Sequence, residues 1–281
     1  MKDKLSLGIS PCPNDTFMFD AMINGRIDVP FEVEVEYADV EALNQKAFNS
    51  ELDVTKISFH AWAKVMDQYQ LLTAGAAMGF GVGPLLISKE KLDLAKLDQY
   101  TVGIPGIETT ANFLLRYAFP QITKKEVLLF SDIEAALVED NIDLGVIIHE
   151  NRFTYQNKGL HLIRDLGTVW ESETNSPIPL GGIAVKRSLS EAVKQEINQI
   201  VRTSVQFAFD HPSVSQDFVS QFAQEMDPKV MKDHIDLYVN EFSLNLNKVG
   251  LDAIDHFLTE IINFNIISSV PKDHILSIKA Q

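Results

Sequence analysis

The fold is decided by a stretch near the beginning of the chain: LSLGIS at residues 5–10, PCPND at residues 11–15 and TFMFDAM at residues 16–22. The pattern predicts a strand, a polar turn and a helix. Two prolines restrict φ and remove backbone donors, so neither the strand nor the helix can run through the turn. Asn14 and Asp15 are residue types that favour a helix N-cap, and we expect them to start the helix.

This turn admits two interpretations. In open α/β sheets, ligands bind outside the carboxyl ends of the strands, so a turn that carries Ser10, Cys12, Asn14 and Asp15 fits the wall of a binding site. The same residues also fit an ordinary strand-to-helix connection with a capped helix. Cys12 is the only cysteine. It is either a nucleophile at a helix N-terminus or a small turn residue.

A second strand–helix unit follows. Residues 31–37 alternate apolar and acidic side chains, which predicts a half-buried strand, and Asp39 is expected to cap the next helix. A short strand then ends in Lys56, Ile57 and Ser58. The strand-end position makes Lys56 and Ser58 candidates to line the same site as Asn14 and Asp15, although Ser58 also fits an N-cap and Lys56 a solvated edge lysine. His60, two residues further on, either joins this site or merely covers a helix start.

The design repeats after a charged segment. Residues 100–104 read as a strand, Pro105 and Gly106 as a turn, and Thr109 and Thr110 as a helix start. Hydroxyls and first-turn N–H groups at a helix N-terminus suit a carboxylate. Plain N-capping by Thr109 is the alternative interpretation.

A buried parallel-type strand is predicted at residues 141–148, and it ends at His149. An imidazole ordinarily titrates near neutral pH, so a histidine at the carboxyl end of a central strand is a candidate general base. His161 alternates with apolar residues, and the histidines that follow it fall in helical or terminal regions, which favours structural or inert roles for all of them.

The order of these elements predicts a two-domain α/β protein with a helical C-terminal segment. We expect one lobe to contain residues 1–98 and 180–281 and a smaller lobe to contain residues 99–179, with the ligand cleft between them. Residues 180–186 read as a strand that returns to the first lobe beside residues 85–88, and residues 171–179 read as a connector. The glycine-rich residues 74–84 lack the strand-then-helix context of a nucleotide site, so we interpret them as a bent, closely packed segment.

Composition narrows the function classes. The chain has 281 residues, with 24 Lys and Arg against 39 Asp and Glu, a net charge of −15. Such a balance repels nucleic acid, and one cysteine provides no cluster for a metal. No apolar run is long enough to span a bilayer. Residues 1–4 lead into a strand without a signal-peptide pattern, so we expect a cytoplasmic protein that is not inserted in a membrane.

The run SPCPNDTF at residues 10–17, followed by Gly25, resembles the opening of the 1,4-dihydroxy-6-naphthoate synthase family of menaquinone biosynthesis. Thr109 and Thr110, the run GVIIHE at residues 145–150 and YVNE at residues 238–241 are also similar to that family. The resemblance implies a type II periplasmic-binding-protein-like fold. It also implies a lyase that converts cyclic dehypoxanthinyl futalosine into 1,4-dihydroxy-6-naphthoate without a metal or redox cofactor.

The resemblance further implies roles for individual residues. His149 corresponds to the general base. Ligand contacts correspond to Lys56, Ile57 and Ser58 and to Thr109 and Thr110. From the helix start itself, we expect Thr109 and Thr110 to bind a carboxylate of the small-molecule substrate. We expect Asn14, Asp15 and Ser58 to orient the sugar part of the substrate. Two alternatives stay open, chorismate dehydratase of the same pathway and a non-catalytic small-molecule-binding protein, and the sequence does not predict the oligomeric state.

Overall fold

The computed structural model describes residues 4–223 and 227–277, which form two compact units. The first unit contains the residues up to Gly79 and those from Pro179 onward, and the second contains Phe80–Ile178. The lobe limits predicted from the sequence, residues 1–98 with 180–281 and residues 99–179, stay a prediction.

The strands of both units are named in chain order. They are β1 (Lys4–Ile9), β2 (Glu32–Tyr37), β3 (Val54–Ser58), β4 (Tyr69–Leu71), β5 (Ala77–Gly79), β6 (Leu85–Ser88), β7 (Val102–Ile104), β8 (Lys125–Val127), β9 (Leu144–Ile147), β10 (His161–Asp165) and β11 (Ile178–Lys186).

The α-helices are named in the same way. They are α1 (Pro13–Ile23), α2 (Val40–Phe48), α3 (Phe59–Lys64), α4 (Thr110–Ala118), α5 (Ile133–Val138), α6 (Asn151–Thr154), α7 (Leu166–Thr174), α8 (Glu191–Asp210), α9 (Gln216–Phe222), α10 (Pro228–Tyr238), α11 (Glu241–Leu244) and α12 (Lys248–Asn263).

The sheet of the first unit has the order β2-β1-β3-β11-β4, and β5 also pairs with β11. β1 is parallel to β2 and β3, as the strand–helix alternation predicts, whereas β11 runs antiparallel to β3 and β4. The prediction that β11 lies beside residues 85–88 is wrong. Those residues form β6, which belongs to the second unit because the chain leaves the first unit at Gly79, before this strand begins.

The sheet of the second unit has the order β10-β6-β9-β7-β8. β7 is parallel to β8 and β9, and β6 is antiparallel to β9 and β10. Because β7 and β9 are parallel neighbours, the segments that follow them leave the sheet at the same edge. This edge is where the chain continues to Thr109 and to His149.

The core of the first unit lies between its sheet and the helices α1 and α8. Ser190 caps α8, since its side chain accepts from the N–H of Val193. Inside this interface the Ser204 hydroxyl donates to the carbonyl of Met18 at 2.7 Å and accepts from the N–H of Met22 at 3.1 Å. These bonds fix α1, and therefore the turn before it, against the longest helix of the unit.

The second unit contains a helix that the sequence interpretation missed. Residues 171–174, predicted as a connector, complete α7, which starts when the carboxylate of Asp165 accepts from the N–H groups of Gly167 and Thr168. Trp170 anchors α7 because its side chain is fully buried. The connector prediction is wrong here because burial of this side chain outweighs the weak helical preference of the segment.

Among the described residues, no α-helix combines the length and the apolar character needed to cross a bilayer.

Candidate active site

The turn between β1 and α1 is built differently from its prediction. Cys12 occupies the N-cap position and Pro13 the first position of the helix, so Asn14 and Asp15 lie inside the first turn. Their predicted capping role is wrong because proline prefers the first helical position, where no N–H is needed. The carboxylate of Asp15 instead accepts from the backbone N–H of Ser10 at 3.0 Å and so closes the turn from within.

Asp15 also binds the end of the neighbouring strand. Nζ of Lys56, on β3, donates to Oδ1 of Asp15 at 2.5 Å, and both side chains are buried. Nδ2 of Asn14 donates to the same oxygen at 2.8 Å. The structure therefore brings together three of the predicted site residues, because β1 and β3 are parallel neighbours whose carboxyl ends meet.

Ser58 ends β3 and caps α3, since its hydroxyl accepts from the N–H of Ala61 at 3.1 Å. Its own N–H donates to Oδ1 of Asn44 at 3.0 Å. Asn44 was not predicted from the sequence. In the structure its amide, on α2, is fully buried, and a buried amide needs a hydrogen-bond partner such as the N–H of Ser58. Ile57 lies between Lys56 and Ser58, is fully buried, and by strand alternation faces the opposite side of the sheet.

The residues left open by the sequence, Cys12 and His60, are both buried in the structure. A further histidine, His234, reaches the turn from α10. Its Nε2 lies 3.0 Å from Oδ1 of Asn14, and its side chain is fully buried. The only signal in the sequence is that His234 falls on the buried stripe of α10 with Met231 and Tyr238.

The second unit presents the start of α4. Thr109 is the N-cap, the second of the two interpretations of this helix start, because its Oγ1 accepts from the N–H of Asn112 at 3.2 Å and donates to the carbonyl of Gly106 at 2.9 Å. Thr109 and Thr110 are both buried, and no acidic residue occupies the first turn. The positive end of the helix dipole is therefore not neutralised by a carboxylate of its own turn.

A lysine stands next to this helix start. Nζ of Lys125, on β8, donates to Oδ1 of Asn112 at 2.7 Å. Burial lowers the pKa of Lys125 from its usual range, and the charge of Arg116 lowers it further. An anion near the start of α4 would favour the charged form of this lysine.

His149 follows β9 and is half-buried. Its φ of 57° lies in the left-handed region, which is costly for a residue with a side chain. Its ring packs edge-on against Phe130, with a centroid distance of 5.0 Å. Strained backbone of this kind persists only where the surroundings determine it.

The surroundings of His149 include two polar anchors that the sequence did not reveal. The buried carboxylate of Glu134 accepts from Asn151 at 2.5 Å and from Lys158 at 2.6 Å. Arg152 donates from Nη1 to the carbonyl of Gly83 at 2.7 Å. These contacts hold the segment immediately after His149 against α5 and against the residues before β6.

Comparison with known proteins relates the chain to one family. A family model described as Menaquinone biosynthesis matches residues 5–261. A 1,4-dihydroxy-6-naphthoate synthase of Streptomyces coelicolor is 40% identical over 276 residues, covering 96% of this chain and 97% of the relative. One from Thermus thermophilus is 40% identical over 258 residues, covering 92% and 94%.

Solved structures show the same fold. The crystal structure of protein AF1704 from Archaeoglobus fulgidus superposes with a TM-score of 0.89 at 33% identity, covering 94% of this chain and 99% of that one. A Candida albicans protein described as having the generic periplasmic binding protein fold gives a TM-score of 0.68 at 13% identity, covering 99% and 98%. The predicted α/β, periplasmic-binding-protein-like fold is confirmed.

Proposed function

The chain belongs to the menaquinone-biosynthesis family, and we propose on this basis that it is a lyase that converts cyclic dehypoxanthinyl futalosine into 1,4-dihydroxy-6-naphthoate. The observation that carries this function is its 40% identity, over more than nine-tenths of each chain, to two relatives named for that product. The enzyme class agrees with the resemblance found at residues 10–17.

His149 is proposed as the general base. The reaction must remove a proton from a sugar-fused bicyclic substrate and release a carbon fragment as the ring becomes aromatic. A neutral imidazole can accept such a proton, and a positioned base contributes about 10²- to 10⁴-fold to a rate. The left-handed backbone of His149 supports this role, because strained residues cluster where function requires a fixed side-chain position.

The start of α4 is proposed to bind the substrate carboxylate. Thr109 and Thr110 supply hydroxyls at the N-terminus of a nine-residue helix whose first turn contains no acidic side chain. Lys125 donates to the side chain of Asn112, in the first turn of this helix, and adds positive charge beside it. Oriented N–H groups and the helix dipole favour a carboxylate at such a position.

The turn of the first unit is proposed to orient the sugar part of the substrate. Lys56 and Ser58 end the strand that faces this turn, and Asn14 and Asp15 hold Lys56 in place. Because Asp15 already accepts from Lys56, Asn14 and the N–H of Ser10, its contribution is to fix the donors around it. Ile57 is buried in the same strand and helps to hold Lys56 and Ser58 in position.

The proposed reaction is tested by incubating the purified protein with cyclic dehypoxanthinyl futalosine and measuring the naphthoate by absorbance and mass. We expect one equivalent of 1,4-dihydroxy-6-naphthoate for each substrate consumed, and no consumption of chorismate in a parallel reaction. Turnover of chorismate alone would assign the chain to the dehydratase of the pathway instead. Saturable binding of the futalosine without turnover would contradict catalysis and support a binding protein.

A further inference from the structure

The first unit contains a chain of buried polar contacts that begins at a histidine outside the proposed substrate contacts. His234 Nε2 lies 3.0 Å from Asn14 Oδ1, Asn14 Nδ2 lies 2.8 Å from Asp15 Oδ1, and Lys56 Nζ lies 2.5 Å from that same oxygen. All four residues are at most 6% exposed. A continuous series of side-chain contacts therefore connects the three elements α10, α1 and β3.

The direction of each hydrogen bond follows from Asp15, whose two oxygens accept from groups that can only donate, the Lys56 ammonium at Oδ1 and the Ser10 N–H at Oδ2. Since Asp15 Oδ1 faces Asn14, the amide of Asn14 must present its NH₂ group to it. The carbonyl oxygen of that amide then faces His234. An oxygen accepts, so Nε2 of His234 must carry a proton and donate it.

We propose that His234 is a positioning residue of the active site: by donating from Nε2 to Asn14 it fixes the Asn14 amide, and through Asp15 it fixes the Lys56 ammonium for the substrate. This inference rests on the proposed function of the turn in substrate binding. His234 itself touches neither the substrate nor the reacting atoms. It acts from α10, whose packing against α1 brings its ring to the turn.

A side chain that only filled the space at position 234 would not need to be a histidine. His234 lies on the apolar side of α10, between Met231 and Tyr238, and its ring packs at 4.7 Å from the ring of Tyr238. A leucine would fill this space without burying a polar ring, and burying a polar group is unfavourable unless it is hydrogen-bonded. The histidine is therefore best explained by the bond it donates.

Loss of this donor should act on substrate binding. Without it, the Asn14 amide has no partner for its oxygen and can rotate, which releases one of the two side-chain donors on Asp15 Oδ1. Lys56 then samples positions away from the substrate. We expect KM to rise by about tenfold, which corresponds to one neutral hydrogen bond to a buried group, while kcat changes by less than about threefold, since the proposed base is elsewhere.

The test compares three variants of the full chain: His234→Leu, which removes the donor; His234→Gln, whose amide NH₂ can reach the same oxygen; and Met231→Leu, a matched apolar change on the buried stripe of α10. We expect His234→Leu to raise KM, His234→Gln to restore most of the wild-type KM, and Met231→Leu to leave KM unchanged. Thermal melting measured on the same samples separates fold stability from binding. A wild-type KM in a less stable His234→Leu variant, or a His234→Gln variant as impaired as His234→Leu, would overturn the proposal.

A spectroscopic measurement keeps this inference distinct from the proposed reaction. In long-range ¹H–¹⁵N spectra of the imidazoles, assigned by loss of one signal in His234→Gln, His234 should show a protonated Nε2. The ammonium signal of Lys56 should be observable in the wild type and in His234→Gln, and broadened in His234→Leu. If the wild type makes no naphthoate but these spectra are as expected, the reaction is refuted and the polar chain stands. A His234 protonated at Nδ1 alone, or a Lys56 signal indifferent to His234→Leu, would refute the chain whether or not the enzyme is active.

Discussion

The ammonium of Lys56 lies 2.5 Å from Oδ1 of Asp15, and neither side chain is exposed to solvent by more than a few per cent. A buried ion pair is expensive to desolvate and adds little net stability compared with an apolar pair of the same volume. Its retention at the end of β3 is therefore better explained by the orientation of the lysine than by stabilisation of the fold.

This relationship predicts non-additive effects of substitution. Lys56→Met leaves the Asp15 carboxylate buried without its cation and should lower the free energy of unfolding by about 3 kcal/mol. Lys56→Met combined with Asp15→Asn should recover most of that loss, because no buried charge remains, yet should stay as poor in substrate binding as the single variant. Urea unfolding and KM measured on both variants check this. Additive losses of stability in the double variant would show that the two side chains do not act as a pair.

A second prediction concerns the start of α4. Thr109→Ala removes the oxygen that accepts from Asn112 and should cost about 1 kcal/mol of stability. It should also raise KM for the substrate, since the first turn loses its alignment. Thr109→Ser keeps the hydroxyl and is the matched control, with near-normal KM and melting temperature. If both variants bind substrate as the wild type does, the carboxylate does not lie at this helix start.

The local part of this architecture could be predicted from the sequence. The strand–turn–helix of residues 5–22 follows from two prolines between apolar runs, and the caps at Asp39, Ser58 and Thr109 follow from residue type alone. Such features depend on neighbours within four positions. Their prediction does not require knowledge of the fold.

The non-local part could not be predicted. The bond between His234 and Asn14 joins residues 220 positions apart, and nothing in the composition of α10 indicates which strand end it reaches. The contacts of Glu134 with Asn151 and Lys158 could not be predicted for the same reason, since these residues lie 17 and 24 positions away. The N-cap was misplaced because Pro13 takes the first helical position, which leaves Cys12 as the N-cap of α1.

A third prediction tests the packing of the second unit. A Cβ on Gly83 would lie 2.3 Å from Cα of Gly167, so the backbone at the start of α7 has to move. Gly83→Ala should lower the free energy of unfolding by about 1–3 kcal/mol, the range for overpacked interiors. Ser172→Ala, at an exposed position of α7, is the control and should change stability by less than about 0.5 kcal/mol. Equal melting temperatures for the two variants would contradict the close approach of these two glycines.

A fourth prediction concerns alkaline pH. Tyr69 is fully buried and donates to the carbonyl of Leu52 at 2.6 Å. Burial raises the pKa of Tyr69 above its usual value, and the charge of Asp53 raises it further. The folded state therefore keeps the phenol neutral. The contribution of Tyr69 to the free energy of unfolding is complete below the ordinary tyrosine pKa of about 10, and it is lost as the pH rises further, because only the unfolded chain then releases the proton readily.

The Tyr69→Phe variant separates the hydrogen bond to Leu52 from the ionisation of the phenol. At pH 7 the variant should be less stable by about 1 kcal/mol, the loss of one buried hydrogen bond. Above pH 10 the difference should narrow, because phenylalanine has no proton to lose in the unfolded chain. Urea unfolding of both proteins between pH 7 and pH 11 measures this. A difference that stays constant over that range would show that Tyr69 is not held neutral by the fold.

The measurement that tests the central claim most directly is turnover by His149→Gly. Glycine adopts the left-handed backbone found at this position without strain, which offsets part of the loss of the ring contact with Phe130, so the variant should still fold. Its kcat should nevertheless fall by at least about a hundredfold, because the proposed base is gone. His161→Gly, an exposed histidine on β10, controls for loss of an imidazole in the same unit and should keep its turnover. Naphthoate formation by His149→Gly within about threefold of the wild-type rate would contradict the assignment of His149 as the base.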